Sequence, residues 1–202
     1  MPHHHGCDGL SAVHTDLLIA LGTRLRSRTR IVDDDQSAKR AAVLVPFFER
    51  EGGYHLLFTL RTSNMPTHKG DVSFPGGRAD KKDASLLHTA LRESEEELGL
   101  YPSDVQQIGP LDDLRTMASN YVVTPYVGVI PYPYDFQPNA WEVAEIFSVP
   151  FTFLADRGNL NAETWLYDGA TIPVQTYRYQ GYKIWGATQR IIENVLDILK
   201  VP

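Results

Sequence analysis

Four glutamates crowd into five residues of this chain, at 93, 95, 96 and 97, directly behind Arg92 and just ahead of Gly99-Leu100. Like charges one turn apart weaken a helix by about 0.2–0.5 kcal/mol per pair, so a helix here needs a compensating partner. With about 3.6 residues per turn, Glu93 and Glu97 share one face, Glu96 lies beside them, and Arg92 stands one turn before Glu96. Leu87, Ala90, Leu91, Ser94 and Leu98 form a separate stripe suited to packing on a sheet. Glu95 falls away from the pair and reads as a solvated surface charge. Clustered carboxylates suit a hard divalent cation, Mg2+ or Mn2+, which takes oxygen ligands and keeps water or phosphate oxygens in its shell. On this reading Glu93 and Glu97 are the primary ligands and Glu96 a third or water-mediated one. Arg92 then orients the carboxylates through charge-assisted hydrogen bonds. Gly99 ends the helix at the left-handed C′ position.

A solvated acidic face is the plain alternative for any run of glutamates, and the flanking loop weighs against it here. That loop is Phe74-Pro75-Gly76-Gly77-Arg78, leading through Asp80 and Asp83 into the helix. Glycines at 76 and 77 let backbone groups approach charged oxygens with no side chain between. In this region the chain resembles the Nudix hydrolases. Their signature runs Gly, five residues, Glu, seven residues, Arg-Glu, an apolar residue, any residue, Glu-Glu, any residue, Gly and an apolar residue. Arg92 to Leu100 matches the second half, with Ser94 at the apolar position. In the first half Ala84 stands at the glutamate position, and the glycine pair comes one residue early. Asp80 or Asp83 is left to supply the carboxylate that holds the arginine in the family. The resemblance makes residues 76–100 the signature box. It implies an α/β fold, an α/β/α sandwich with a mixed β-sheet between helices, and metal-dependent hydrolysis of a diphosphate linkage. Family members take their general base from the box or from a distant loop. Glu142 and Glu145 are the distant candidates, and Glu142-Val143 matches a recurrent Glu-Val position.

The segment upstream narrows the substrate by the same kind of resemblance. Leu57 to Thr62 and Gly70 to Gly77 are similar to the extra motif of the coenzyme A pyrophosphatase branch, including the spacing from Arg61 to Gly70 and Phe74. Val123 to Gly128 and Trp185 to Thr188 resemble later segments of that branch. Pro66 replaces the second arginine of the motif, and His68 or Lys69 is the nearest cation. Arg61, Lys69 and Arg78 are the candidates for substrate phosphates, with Gly76 and Gly77 contributing backbone. The implied products are 4′-phosphopantetheine and 3′,5′-ADP. ADP-ribose or another nucleoside diphosphate derivative is the competing substrate, and a non-catalytic nucleotide-sensing domain is the competing class. The chain has no GxxxxGK[ST] loop and no GxSxG elbow, which disfavours ATP-coupled and acyl-enzyme chemistry.

The 202 residues read as a single domain, 1–202, and 43% hydrophobic residues suffice for a sizeable core. A net charge of −6 without a basic block argues against a nucleic-acid groove, and the resemblance implies a small nucleotide substrate. The lone Cys7 excludes an internal disulfide and fits a reducing compartment. No apolar run reaches the ~20 residues that span a bilayer. The start lacks the order of a signal peptide, so no membrane is expected and the cytoplasm is the expected location. A homodimer is left open. Residues 1–9 read as disordered and 10–27 as an amphipathic helix, followed by a polar link over 28–40. Residues 41–48 and 54–61 read as a hairpin, as do 174–179 and 182–185 around Gln180-Gly181. Further strands are expected at 72–74, 105–111, 121–130 and 142–150, the last running into a short helix, and a closing helix at 188–199.

Overall fold

The computed structural model describes residues 8–63, 70–116, 120–167 and 169–201. Most of the expected disordered start falls on residues 1–7, outside the described residues, and helix α1 (Asp8–Ser27) already includes Asp8 and Gly9.

Strand β1 (Lys39–Arg50) sets up the architecture through its alternation. Val43, Val45 and Phe47 point into one apolar cluster, while Leu44 and Phe48 point into another on the opposite face. Strand β2 (Gly53–Arg61) repeats the pattern, with Leu56 and Phe58 on the first side and Leu57 on the second. The turn between them puts Glu51 and Gly52 at φ 54° and 76°, the doubly left-handed hairpin turn that glycine favours.

Beyond the turn the two strands part. β1 pairs with β2 only over Phe47–Arg50 and Gly53–Leu56. In the widening gap β3 (Val72–Ser73) pairs with Thr59 and Leu60 of β2, and β4 (Gly76–Arg78) pairs with Ala41–Val43 of β1. Phe74-Pro75 crosses between them, and the Leu44 N–H donates to the Pro75 carbonyl at 2.9 Å. The glycine loop is thereby built into the sheet.

β1 runs parallel to β7 (Tyr121–Val129), which pairs antiparallel with β5 (Gln106–Pro110) and β6 (Leu114–Arg115). β8 (Val143–Pro150) pairs antiparallel with β2 along its other edge. Helix α2 (Leu86–Leu98) covers the face of Leu44, Phe48 and Leu57, burying Leu91 and Leu98 there. Burial of each such leucine is worth about 1.5–3 kcal/mol. α1 and α4 (Gly186–Leu199) cover the other face through Leu18, Leu21, Ile192 and Leu196. The result is the expected sandwich, a mixed sheet between helices.

A short helix, α3 (Phe151–Ala155), leads into an antiparallel three-stranded sheet of β9 (Leu160–Tyr167), β10 (Ala170–Tyr179) and β11 (Tyr182–Trp185). Tyr182 stacks on Phe147 of β8 with ring centroids 3.7 Å apart, tying the small sheet to the large one. β9 has no counterpart among the sequence expectations. Asn161, Ala162, Glu163 and Thr164 offer no apolar alternation, and the strand exists through pairing with β10.

Candidate active site

Helix α2 is well delimited. The Ser85 hydroxyl accepts the His88 N–H at 3.1 Å, and Gly99 closes the helix at φ 66° with its N–H on the Glu95 carbonyl. Arg92 is the hub of its polar face. Its Nε and Nη2 donate to the two carboxylate oxygens of Asp83 at 2.9 and 3.0 Å, a bidentate pair. Its Nη1 lies 2.8 Å from Glu93 and 3.0 Å from Glu96. Nη2 also reaches the Arg78 carbonyl at 3.3 Å.

Of the two aspartates left open by the sequence, Asp83 takes the arginine. Its carboxyl also receives the Thr89 hydroxyl and the Asp80 N–H, whereas Asp80 accepts the Lys82 N–H. The Arg92 guanidinium holds Asp83 far below the usual carboxylate range. Asp83 lies nine residues before Arg92, and Ala84, at the signature spacing, is exposed.

Glu97 is buried, its side chain 5% exposed, and accepts the Gly76 N–H at 3.2 Å. Arg61 approaches it from β2 at 3.8 Å. Glu93 lies against Gly77 so closely that a Cβ there would collide with its carboxylate, and a Cβ on Gly76 would collide with the Ala42 carbonyl. Gly76 is therefore required by close approach to backbone and by its φ of 146°, whereas a Cβ on Gly77 would displace the Glu93 carboxylate. Burial pushes the Glu97 carboxyl up to about 7, with repulsion from Glu142 and Glu93 adding to it against the Gly76 N–H and Arg61. Burial likewise raises Glu93, helped by Glu96 and Glu142 and opposed by Arg92.

Glu142 reaches this place through a turn clipped to the end of α2. The Asn139 N–H donates to the Glu97 carbonyl at 2.8 Å, the Glu142 N–H to the Asn139 carbonyl at 2.9 Å, and the Asn139 amide to the Glu142 carboxylate at 3.2 Å. Glu145 is drawn elsewhere, accepting the Tyr182 hydroxyl. Asn139 carried no signal in the sequence, because its role is visible only once the loop is laid on the helix.

The glutamates do not all converge. Glu96 is 57% exposed and turned onto Arg92, and among the described residues no three His, Cys, Asp or Glu side chains stand ready to ligate one ion. Glu142 repels both Glu93 and Glu97, and Glu96 repels Glu93. Their chemistry fits a divalent cation: oxygen donors, partly desolvated and mutually repelling. Arg61 Nε is buried without a hydrogen-bond partner among the described residues. Arg78 is exposed, and Glu95 faces solvent as expected. Lys69, Pro66 and His68 lie outside the described residues.

Comparison with known proteins matches residues 38–166 to the NUDIX domain. The Nudix hydrolase NudL of Photorhabdus laumondii is 37% identical over 163 residues, 81% of this chain and 86% of that protein. The human mitochondrial coenzyme A diphosphatase NUDT8 is 37% identical over 188 residues, 91% of this chain and 75% of its own length. Among solved structures, a MutT/nudix family protein from Enterococcus faecalis superposes with a TM-score of 0.52 over 98% of this chain and 81% of its own, at 13% identity. At that identity the likeness speaks for the fold alone. No helix among the described residues is long and apolar enough to cross a membrane.

Proposed function

The chain belongs to the Nudix hydrolase family, and on that premise we propose that it hydrolyses the diphosphate bond of coenzyme A or its derivatives, giving 3′,5′-ADP and 4′-phosphopantetheine. The observation that carries the reading is a single constellation. Two glutamates one helical turn apart, Glu93 and Glu97, lie under the Gly76-Gly77 backbone, and a distant loop brings Glu142 to them.

Nudix hydrolases generally use divalent metal ions. Here Glu93 and Glu97 would hold the ion, with Glu96 acting through water. An ion held there would supply charge neutralisation for the diphosphate and make water more acidic at the site. The chain's own residues do the rest. Glu142 accepts the proton of the attacking water, whose oxygen forms the new bond to phosphorus while the bridging P–O bond breaks toward the other phosphate. Asp83 fixes Arg92, whose guanidinium offsets the repulsion between Glu93 and Glu96. Arg61 and the exposed Arg78 would meet the substrate phosphates, with Lys69 as a further cation of the same stretch.

Support for coenzyme A comes from the motif around Arg61 and Gly70–Gly77 and from the human relative. Pro66 at the second arginine position favours a second reading, in which ADP-ribose or a related nucleoside diphosphate derivative is the substrate, since arginine forks bind phosphate in a way lysine does not replace. The deciding experiment is a product assay on coenzyme A, ADP-ribose and NADH with Mg2+, with Mn2+ and with chelator. Turnover of coenzyme A well above the others supports the reading, and preference for ADP-ribose replaces it with the second. Binding without turnover of any substrate would make the chain a nucleotide sensor.

A further inference from the structure

The loop that delivers Glu142 also presents an indole that makes no ring contact among the described residues. Its other aromatic residues are occupied. Tyr132 stacks on Phe48, centroids 4.8 Å apart, with the Arg50 guanidinium 5.8 Å from its ring. Tyr134 packs on Phe136 at 4.9 Å, and its hydroxyl bonds Asp104 at 2.9 Å. Trp141, by contrast, is 67% exposed and has no ring contact among the described residues. Tryptophan is rarely left so open, because its burial is among the largest hydrophobic gains available.

The backbone beneath this indole is tightly held. The Trp141 N–H donates to Asn139 Oδ1 at 3.1 Å, and its carbonyl accepts the hydroxyl of the buried Thr62 at 2.6 Å. Asn139 is itself tied to Glu97, so the mount is fixed to the acidic helix. A rigid anchor with a free aromatic face, one residue from Glu142, is suited to a flat heterocycle, since every base has a face to stack and pre-set geometry limits the entropy cost.

We propose that Trp141 is the platform on which the base of the nucleotide substrate stacks, one sugar ring from the diphosphate. The inference rests on reading the adjoining carboxylates as a diphosphate site. A rival aromatic cleft at Trp165 and Trp185 opens beside Leu60 and Val72, which belong to the face away from α2, and the Lys183 ammonium already covers the Trp165 ring at 3.9 Å.

The test uses intrinsic fluorescence, to which Trp141 contributes one of three tryptophans, together with steady-state kinetics. Titrating the wild-type protein with ADP should quench emission, and inorganic pyrophosphate should not. Trp141→Phe should lose the quench while retaining most of the affinity, because phenyl still stacks. Trp141→Ala should raise KM for the hydrolysed nucleotide by about 5- to 100-fold, with the loss in KM rather than kcat. A full ADP quench in Trp141→Phe, or an unchanged KM in Trp141→Ala, overturns the proposal and leaves the hydrolase reading intact. A shift in mass by light scattering in Trp141→Ala, with KM unchanged, would make the indole a contact between copies, which also overturns it. If wild type hydrolyses no diphosphate yet shows the ADP quench, and Trp141→Phe abolishes it, the hydrolase reading fails and the platform stands.

Discussion

Two groups of carboxylates in this molecule are treated in opposite ways. Asp33, Asp35, Asp112 and Asp113 gather where the 28–40 link meets the turn before β6. Arg115 clasps Asp33 and Asp35 at 2.9 and 2.8 Å, Arg28 meets Asp112 at 2.7 Å, and Arg30 and Arg40 flank Asp113 at 3.3 and 3.9 Å. Backbone donors fill the remaining lone pairs, the Ile31 N–H on Asp112 and the Asp33 N–H on Asp113. At the site Glu93 shares a single Arg92 nitrogen with Glu96, Arg61 comes only within 3.8 Å of Glu97, and burial raises Glu93 and Glu97 above the usual range. Carboxylates that serve the fold are neutralised within it. Those at the site are left unbalanced at a cost to stability, which is the pattern of a place meant to receive charge from outside.

The contrast breaks first at Glu97. Glu97→Gln keeps the shape and an acceptor for the Gly76 N–H but removes the buried charge. Turnover should fall by roughly two to four orders of magnitude, as expected when a ligand of a catalytic ion is lost. Thermal stability at pH 7 should be unchanged or slightly higher, because a desolvated carboxylate has gone. Near-wild-type turnover with saturating Mg2+ would remove Glu97 from the metal site.

The opposite substitution is Asp113→Ala. Its side chain is 1% exposed and receives the Thr124 hydroxyl at 2.6 Å, so truncation strands a hydroxyl and an N–H and takes a counter-charge from Arg30 and Arg40. Breaking such a buried set costs about 2–4 kcal/mol, or roughly 5–15 °C in Tm for a chain of this length. Per folded molecule, kcat should remain within about twofold. A mutant that melts normally but turns over slowly would erase the division between the two groups.

Asp83→Asn sits between them, since Asp83 is compensated yet holds a residue of the site. Loss of the bidentate charge should cost about 1–3 kcal/mol in stability and lower kcat by roughly tenfold. Chemical denaturation and steady-state kinetics on the same preparation check both. An effect on stability alone would mean that Arg92 keeps its place through Glu93 and Glu96.

These unequal roles were unequally legible. The spacing of Arg92, Glu93, Glu96 and Glu97 is local, and a helix turns local spacing into a shared face, so the acidic helix and its capping Gly99 could be read directly. The alternation of β1 and β2 was equally plain. The aspartate network was read as a polar link, because Asp33 and Arg115 stand 82 positions apart and no periodicity connects them. Glu142 and Glu145 looked equivalent, although three positions in an extended segment send side chains to opposite faces. What separates them is a turn built by Asn139 and a tyrosine on β11. β9 escaped for a related reason, since its pairing partner rather than its own composition makes it a strand.

The smallest expected effect is on acid stability, and it sharpens the comparison by its sign. The Ser37 hydroxyl and N–H, followed by Arg115, bring Asp35 down to about 2, and Arg115 lowers Asp33 as well. Burial works against Asp112, but the Ile31 N–H, Asn194 and Arg28 outweigh it. With folded values below the unfolded 3.8, the native state binds fewer protons than the unfolded chain in this window. The contribution is therefore complete above about pH 4 and drains away as pH falls toward 2. Urea midpoints measured between pH 6 and 2.5 should decline less steeply in Asp35→Asn than in wild type. Asp35 and Arg115 are 38% and 39% exposed, so salt screens the pair and the gap should shrink in 0.5 M NaCl. Parallel midpoints in the two proteins at low salt would mean that Asp35 is only decoration on the network, and that Asp112 and Asp113 carry it.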